Sequence, residues 1–421
     1  MQKYHCISDI LTGKISPGES ARLRGWVYRK REQKNLVFII LRDSSGIIQL
    51  ACKDLEEARN ASIESSIEVS GSVKEDSRAP GGFELDAKSI KIIGLAERFP
   101  IAKDLSEEFL RDIRHLWVRS RYITEILKVR SEVFSAIHEF YKSKGFYQVQ
   151  APSFTGASCE GGSTLFEVKY FDKKAYLTQS WQLYAEALIY SLERIYTIAP
   201  SFRAEQSRTI RHLAEYWHHE MEAAWMGHDE LMKFEEELIT YIIKHVLTHC
   251  KAELAALGRD VKELEAVKAP FKRITYKEAV KKLGKRIGEE LTDKDERELV
   301  QLLGNKPVFL TSFLREKKAF YMRPDPLDTD AVLASDLLVP GVGEITGGSE
   351  RIFDIKELLD SIKLFKLKKQ DYEWYIDLRR YGTIPHSGFG LGIDRLVLWL
   401  TGAKHIMDTI PFPRTMERLY P

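Results

Sequence analysis

Residues 388–396 read GFGLGIDRL. Glycines this dense ahead of an apolar stretch invite comparison with the G-x-G-x-x-G loop of a dinucleotide-binding sheet, but Arg395 stands where the third glycine belongs. No βαβ unit follows, so a doubly wound fold loses its main support. What remains is a glycine-rich strand or turn entering a helix, with an arginine at the start. There the backbone can approach a ligand closely, and a guanidinium can stack on a flat ring or hold a phosphate.

Upstream, the pattern is mixed. The run ILKVRSEVFSAIHEFYKSKGF carries apolar residues at helical spacing and ends on Gly145 as a C-cap. Long helical patterns around 228–257 and 276–303 alternate with strand-like runs such as KAYLTQS, RIYTIAPSF and AAWMG. Strands with helices beside them predict an α+β region, an antiparallel sheet flanked by helices over 126–421. The first hundred residues differ. ARLRGWVYRKREQKNLVFIILRDSSGIIQLACK, SIEVSGSVKED and FELDAKSIKIIG give about five alternating strands with turns between them. That fits a small closed barrel of the OB type, which often binds single-stranded nucleic acid. The arginine-rich, helix-prone stretch 101–125 reads as a hinge.

The totals set limits. A chain of 421 residues is too long for one ordinary core. A net charge of +2 places any nucleic-acid face locally rather than globally. No apolar run is long enough for a membrane helix. The four cysteines (Cys6, Cys52, Cys159 and Cys250) form no C-x-x-C pair. With a start lacking a secretory signal, they fit a reducing cytoplasm.

Residues 202–213, FRAEQSRTIRHL, concentrate three arginines, a glutamate and a histidine. Such a cluster waits for an anion. Taken singly, each of these groups reads as readily as a surface ion pair. Together with GFYQVQAPSF (145–154) and GLGIDRL they do not, because in this order and separation the three pieces resemble motifs 1, 2 and 3 of the class II aminoacyl-tRNA synthetases. The N-terminal barrel and RDIRHLWVRSR resemble the aspartate/asparagine/lysine subgroup, so the resemblance covers essentially the whole chain.

The resemblance implies that the anion is ATP and then an aminoacyl-adenylate. Arg203 would hold the α-phosphate and the amino acid carboxylate, and Glu205 would accept from the adenine amino group. Arg211, His212 and Leu213 belong to the motif 2 loop that meets the outer phosphates. Tyr216 and Arg395 would enclose the adenine, with Gly392 and Asp394 beside them. Arg203, Glu205 and Arg395 form the implied catalytic set. Glu344, with Asp336 near it, would hold Mg²⁺, for which oxygen ligands and a triphosphate are suited.

The amino acid is implied by finer differences. Aspartyl members carry a lysine after QSPQLY, whereas QSWQLYAEA places Ala185 there. Without that ammonium a buried carboxylate has no partner. The aspartate those members show after motif 2 is replaced by Glu220, which can accept from an amide NH₂ while Arg351 donates to its carbonyl. Gln182 and Gly347 would line the same pocket, and Glu160 in SCEGGSTLF (158–166) would hold the α-amino group. The wording is that of the asparaginyl members, implying L-asparagine and an asparagine-specific tRNA as substrates and a homodimer built through motif 1 around Pro152. Met221, Tyr216, Glu350 and Ile352 depart from that pattern. On the barrel, Phe38 would stack on the middle anticodon base, with Gln49 and Glu84 at its edge.

Two other enzymes remain open at this stage. One makes asparagine from aspartate and ammonia through an aspartyl-adenylate, but such proteins lack the barrel that residues 1–100 supply. The other is an aspartyl-tRNA synthetase of relaxed specificity. A non-catalytic RNA-binding relic would need broken site residues, and Arg203, Glu205 and Arg395 are intact.

Overall fold

The computed structural model describes residues 4–101, 105–156, 164–205 and 211–421. Glu160 and its loop lie outside the described residues. The chain divides into two compact units, Met1–Leu110 and Arg111–Pro421, with the division inside the stretch expected as a hinge.

The first unit is the expected barrel. Strands β1 (Ser20–Glu32), β2 (Leu36–Arg42), β3 (Ile47–Lys53), β4 (Ser66–Glu75) and β5 (Phe83–Gly94) close in the order β1-β2-β3-β5-β4. Alternation is the cause. In β2, Val37, Ile39 and Leu41 are buried while Phe38 and Ile40 are not, because successive side chains leave opposite faces of a strand. Gly25 and Gly71 are required at crossings, where a Cβ would stand 2.3 Å from the Arg42 carbonyl oxygen and 2.2 Å from that of Asp86.

The second unit is built on an eight-stranded sheet. Its strands include β6 (Tyr147–Gln148), β10 (Arg194–Phe202), β11 (Glu215–Ala224), β12 (Lys272–Thr275), β13 (Val308–Thr311), β14 (Ala334–Val339), β15 (Gly343–Glu350) and β16 (His386–Gly392), ordered β12-β13-β14-β15-β16-β11-β10-β6. The six central strands are antiparallel, and the two edge pairs, β12 with β13 and β6 with β10, are parallel. Between β6 and β10, β7 (Phe154–Thr155), β8 (Glu167–Tyr170) and β9 (Lys173–Leu177) form a small second sheet.

Helices Arg121–Ser143, His228–His249 and Ile393–Thr401 cover one side of the large sheet and share its core. The first starts on Ser120, whose side chain caps Ile123 N–H, and gives way at Gly145, whose φ of 75° is the left-handed turn a helix end needs. The pattern read over 228–257 breaks at Cys250, and that over 276–303 becomes two helices, Tyr276–Lys282 and Asp293–Leu302. Gly284 and Gly288, both at positive φ, interrupt it. Arg114, from the expected hinge, is buried in this unit and donates to the carbonyls of Ile410 and Pro411 at 2.8 and 2.9 Å.

Candidate active site

The side of the sheet away from those helices opens into a cavity of about 940 Å³. Its floor is the β10–β11 hairpin with β14, β15 and β16, and the helix Gln182–Leu192 forms one wall. Of the catalytic, ATP-binding, amino-acid-binding and metal residues expected from sequence, Gln182, Ala185, Arg203, Arg211, His212, Leu213, Tyr216, Glu220, Asp336, Glu344, Gly347, Arg351, Gly392, Asp394 and Arg395 all line it. Glu205 stands at its edge, 3.9 Å from Arg203 and 3.6 Å from His212.

At the hairpin's open end, Arg203 continues the β10 ladder by donating its N–H to the carbonyl of Ala214 at 2.9 Å. The guanidinium carbon lies 5.8 Å from the centre of the Tyr216 ring. Arg211 also reaches the cavity, but its guanidinium is engaged by Glu296 and Asp293 on the helix Asp293–Leu302. It anchors the end of the hairpin, and meeting a phosphate would compete with two carboxylates. Asp394 is similarly committed: its oxygens accept from Arg130 at 2.6 Å and from the Trp217 N–H at 2.9 Å. The carboxylate thus pins the motif 3 helix to β11. Arg395, one residue on, donates to the Glu344 carbonyl at 3.0 Å and to its carboxylate at 3.2 Å.

Two carboxylates converge around Gly347, where a Cβ would stand 3.3 Å from Asp336 and 3.4 Å from Glu344. Burial, and Glu344 beside it, push Asp336 up to about 7 against the pull of Lys318. Burial works the same way on Glu344, but Arg395 and Lys318 prevail and hold it down at about 2. Lys318 Nζ sits 2.9 and 2.7 Å from the two oxygens of Asp336, so a cation already occupies this spot. Hard oxygen donors that accept a cation fit Mg²⁺.

The deep end holds the residues expected from sequence to meet the amino acid side chain. Glu220 accepts from the Ser180 hydroxyl and from the Trp181 N–H. Nδ1 of His218 lies 3.5 Å from the same carboxylate. Ala185 is buried against the cavity and presents only a methyl. Arg351 lies beneath, over the Tyr321 ring. Burial opposes its charge, but Glu222 offsets this and raises the guanidinium pKa above its ordinary value.

Several of these functional neighbours escape sequence reading. Glu222 grips Arg351, and Glu186 accepts from Tyr375, Arg379 and His386 while Gln182 donates to its other oxygen. His218 lies under Gly390, where a Cβ would come within 2.3 Å of the ring. Burial, with Arg203 and Arg395 nearby, lowers its pKa to about 3, so it is neutral. The distances in the sequence between these partners hide them.

On the barrel, Phe38, Gln49 and Glu84 lie on adjacent strands and all face away from the core. Gln49 donates to Glu84 at 2.7 Å, and Phe38 is half-buried, outside the barrel's apolar cluster.

A glycine-rich strand entering a helix, an arginine-bearing hairpin and a carboxylate pair on one sheet, in one chain with an OB barrel, are the parts that the resemblance to the class II synthetases implies. The family model for class II tRNA synthetases (D, K and N) matches residues 106–416, and that for the OB-fold nucleic acid binding domain matches 21–93. The chain belongs to the class II aminoacyl-tRNA synthetases of the aspartate, lysine and asparagine group. Among its relatives, it is 45% identical to the asparagine–tRNA ligase of Thermoplasma acidophilum, over 99% of both chains. It is 46% identical to that of Thermococcus kodakarensis, over 99% of this chain and 100% of the other. The crystal structure of asparaginyl-tRNA synthetase from Pyrococcus horikoshii complexed with asparaginyl-adenylate superposes with a TM-score of 0.96 at 42% identity, covering 100% of each chain.

Proposed function

We propose that this chain activates L-asparagine with ATP and transfers it to the 3′ end of an asparagine-specific tRNA. The observation that carries the reading is the deep end of the cavity. Glu220 offers acceptors, Arg351 offers donors, and Ala185 offers no cation to a carboxylate. An amide satisfies both sides of such a pocket. An aspartate would bring a second carboxylate against Glu220, with only the already paired Arg351 to meet it.

In the first step the asparagine carboxylate attacks the α-phosphorus and pyrophosphate leaves. In the second, a hydroxyl of the terminal ribose attacks the carbonyl carbon and AMP leaves. Arg203 bridges the two reactants and stabilises the charge that gathers between them, so it is worth more in the transition state than in the ground state. Tyr216 and Arg395 hold the adenine between them, and Glu205 takes its amino group. His218, neutral below the strand, neither adds charge nor competes for the phosphate. Asp336 and Glu344 would hold Mg²⁺, which when bound neutralises phosphate charge. Phe38, Gln49 and Glu84 read the anticodon, and the active form is a cytoplasmic homodimer joined through the motif 1 segment at Pro152.

Pyrophosphate exchange with asparagine and aspartate side by side, with and without tRNA, tests the reading. Asparagine-dependent exchange that needs no tRNA is expected. Exchange with aspartate alone would overturn it.

A further inference from the structure

Away from the cavity, the helices Arg121–Ser143 and His228–His249 bring a second set of donors together. His245 and His249 stand one turn apart, with ring centres separated by 4.2 Å. From the facing helix, Glu132 places a carboxylate oxygen 2.9 Å from Nε2 of His245. Each of the three residues can offer one ligand atom, all within 4.8 Å of one another. His249 is exposed and Glu132 half-buried, so the cluster is open to solvent.

Both rings are held from behind. Nδ1 of His245 faces Glu139 at 3.5 Å, and the Tyr241 hydroxyl donates to the same carboxylate at 3.2 Å. Nδ1 of His249 meets the backbone carbonyl of His245 at 2.9 Å. A carbonyl only accepts, so Nδ1 carries the proton there and Nε2 of His249 keeps its lone pair. An oxygen behind Nδ1 is what fixes the tautomer and orientation of a metal-binding histidine.

We propose that Glu132, His245 and His249 form a site for a divalent transition ion of the zinc type, clipping the two helices together. Two imidazoles and a carboxylate are the donor set such ions prefer over Mg²⁺. Ligand atoms around 2.1 Å from a tetrahedral ion stand roughly 3.4 Å apart, so the pair now at 2.9 Å needs only a small opening. The ion takes the place of the proton that Glu132 and His245 share, and that proton is released to solvent. Three protein donors leave one position for water.

The test uses the full chain, stripped with a chelator and free of ATP, titrated with Co²⁺ by visible absorption and with Zn²⁺ by calorimetry. One ion per chain is expected, and Zn²⁺ should raise the melting temperature. His249→Ala removes an exposed ligand and should weaken binding by more than ~100-fold, beyond the ~10–100-fold that loss of an outer partner costs. Glu139→Gln acts from behind the ligand and should weaken it about tenfold. Absence of saturable one-to-one binding, or an affinity in H249A within tenfold of the unaltered chain, would overturn the site and leave an ion pair between helices.

Discussion

Arg351 donates through Nε and a terminal nitrogen to the two oxygens of Glu222, at 3.0 and 2.9 Å, while its other terminal nitrogen donates to Ser349 at 2.7 Å. Glu222 therefore sets where the guanidinium points. Glu222→Gln keeps the shape but can accept on one side only, and leaves a buried charge uncompensated. We expect the KM for asparagine to rise at least tenfold while the KM for ATP stays within about twofold, because neither residue is among those proposed to hold ATP. A parallel rise of both constants in pyrophosphate exchange would mean that the pair holds the sheet rather than the substrate.

Ala185 lies on the same wall as Gln182, about one helical turn from it, and is buried. Ala185→Lys pushes an ammonium toward the substrate's side-chain end. Asparagine use should fall, and aspartate should gain a partner that Glu220 only partly cancels. The ratio of kcat/KM for the two amino acids is the readout, and an unchanged ratio would refute the placement of specificity on this wall.

Arg203 lines the cavity, with its guanidinium carbon 5.8 Å from the Tyr216 ring centre and a terminal nitrogen 3.9 Å from Glu205, where we propose that it holds the α-phosphate. Arg203→Ala should cost about 3–4 kcal/mol of transition-state stabilisation, a loss of two to three orders of magnitude in exchange rate. The melting temperature should barely move. Loss of both together would assign Arg203 to structure.

The residues legible in the sequence are those whose meaning is local. Alternation in β1 and β4 reports the barrel because the pleat has period two, and FRAE and GLGIDR point to a ligand site because charges stand at strand ends, in GLGIDR beside glycines. What sequence hides is commitment to distant partners. Asp394 and Arg130 are separated by 264 residues, Glu222 and Arg351 by 129, and Glu186 and Arg379 by 193. The same holds for Arg211, which reads as a phosphate contact until Glu296, 85 residues on, is seen to engage it. Helix Gln182–Leu192 escapes for another reason: tyrosine, leucine and alanine surround it, leaving no polar stripe to betray the period.

Glu235 gives a pH dependence of unusual sign. It is fully buried on the helix His228–His249, bonded to Thr346, and burial pushes its pKa up to about 8 from 4.5. Between those values the folded chain holds a proton that the unfolded chain has lost. Its contribution to stability is therefore fully present below pH 4.5 and fades as pH rises toward 8, with a limiting slope of ~1.4 kcal/mol per pH unit. Glu235→Gln keeps an acceptor for Thr346 and removes the titration. Urea unfolding should show the variant more stable than the parent at pH 8.5, with the gap closing toward pH 5; a gap independent of pH would exclude Glu235 as its source.

Phe38 is half-buried on the outer face of β2, beside the Gln49–Glu84 pair that joins β3 to β5. Its strand neighbours Val37 and Ile39 fill the core, so the barrel does not need the ring for packing. An aromatic plane next to a polar donor–acceptor pair suits an unstacked base, whose face it can cover while the pair meets its edge. Stacking of that kind is worth ~1–3 kcal/mol per base, and Phe38→Ala should lower tRNA charging by roughly one to two orders of magnitude. Asparagine-dependent pyrophosphate exchange should be unchanged, since that chemistry is confined to the second unit. A middle-base substitution in the anticodon should cost the parent as much as the mutation does, and should cost the variant little more. Equal losses in charging and exchange would instead assign Phe38 to the fold.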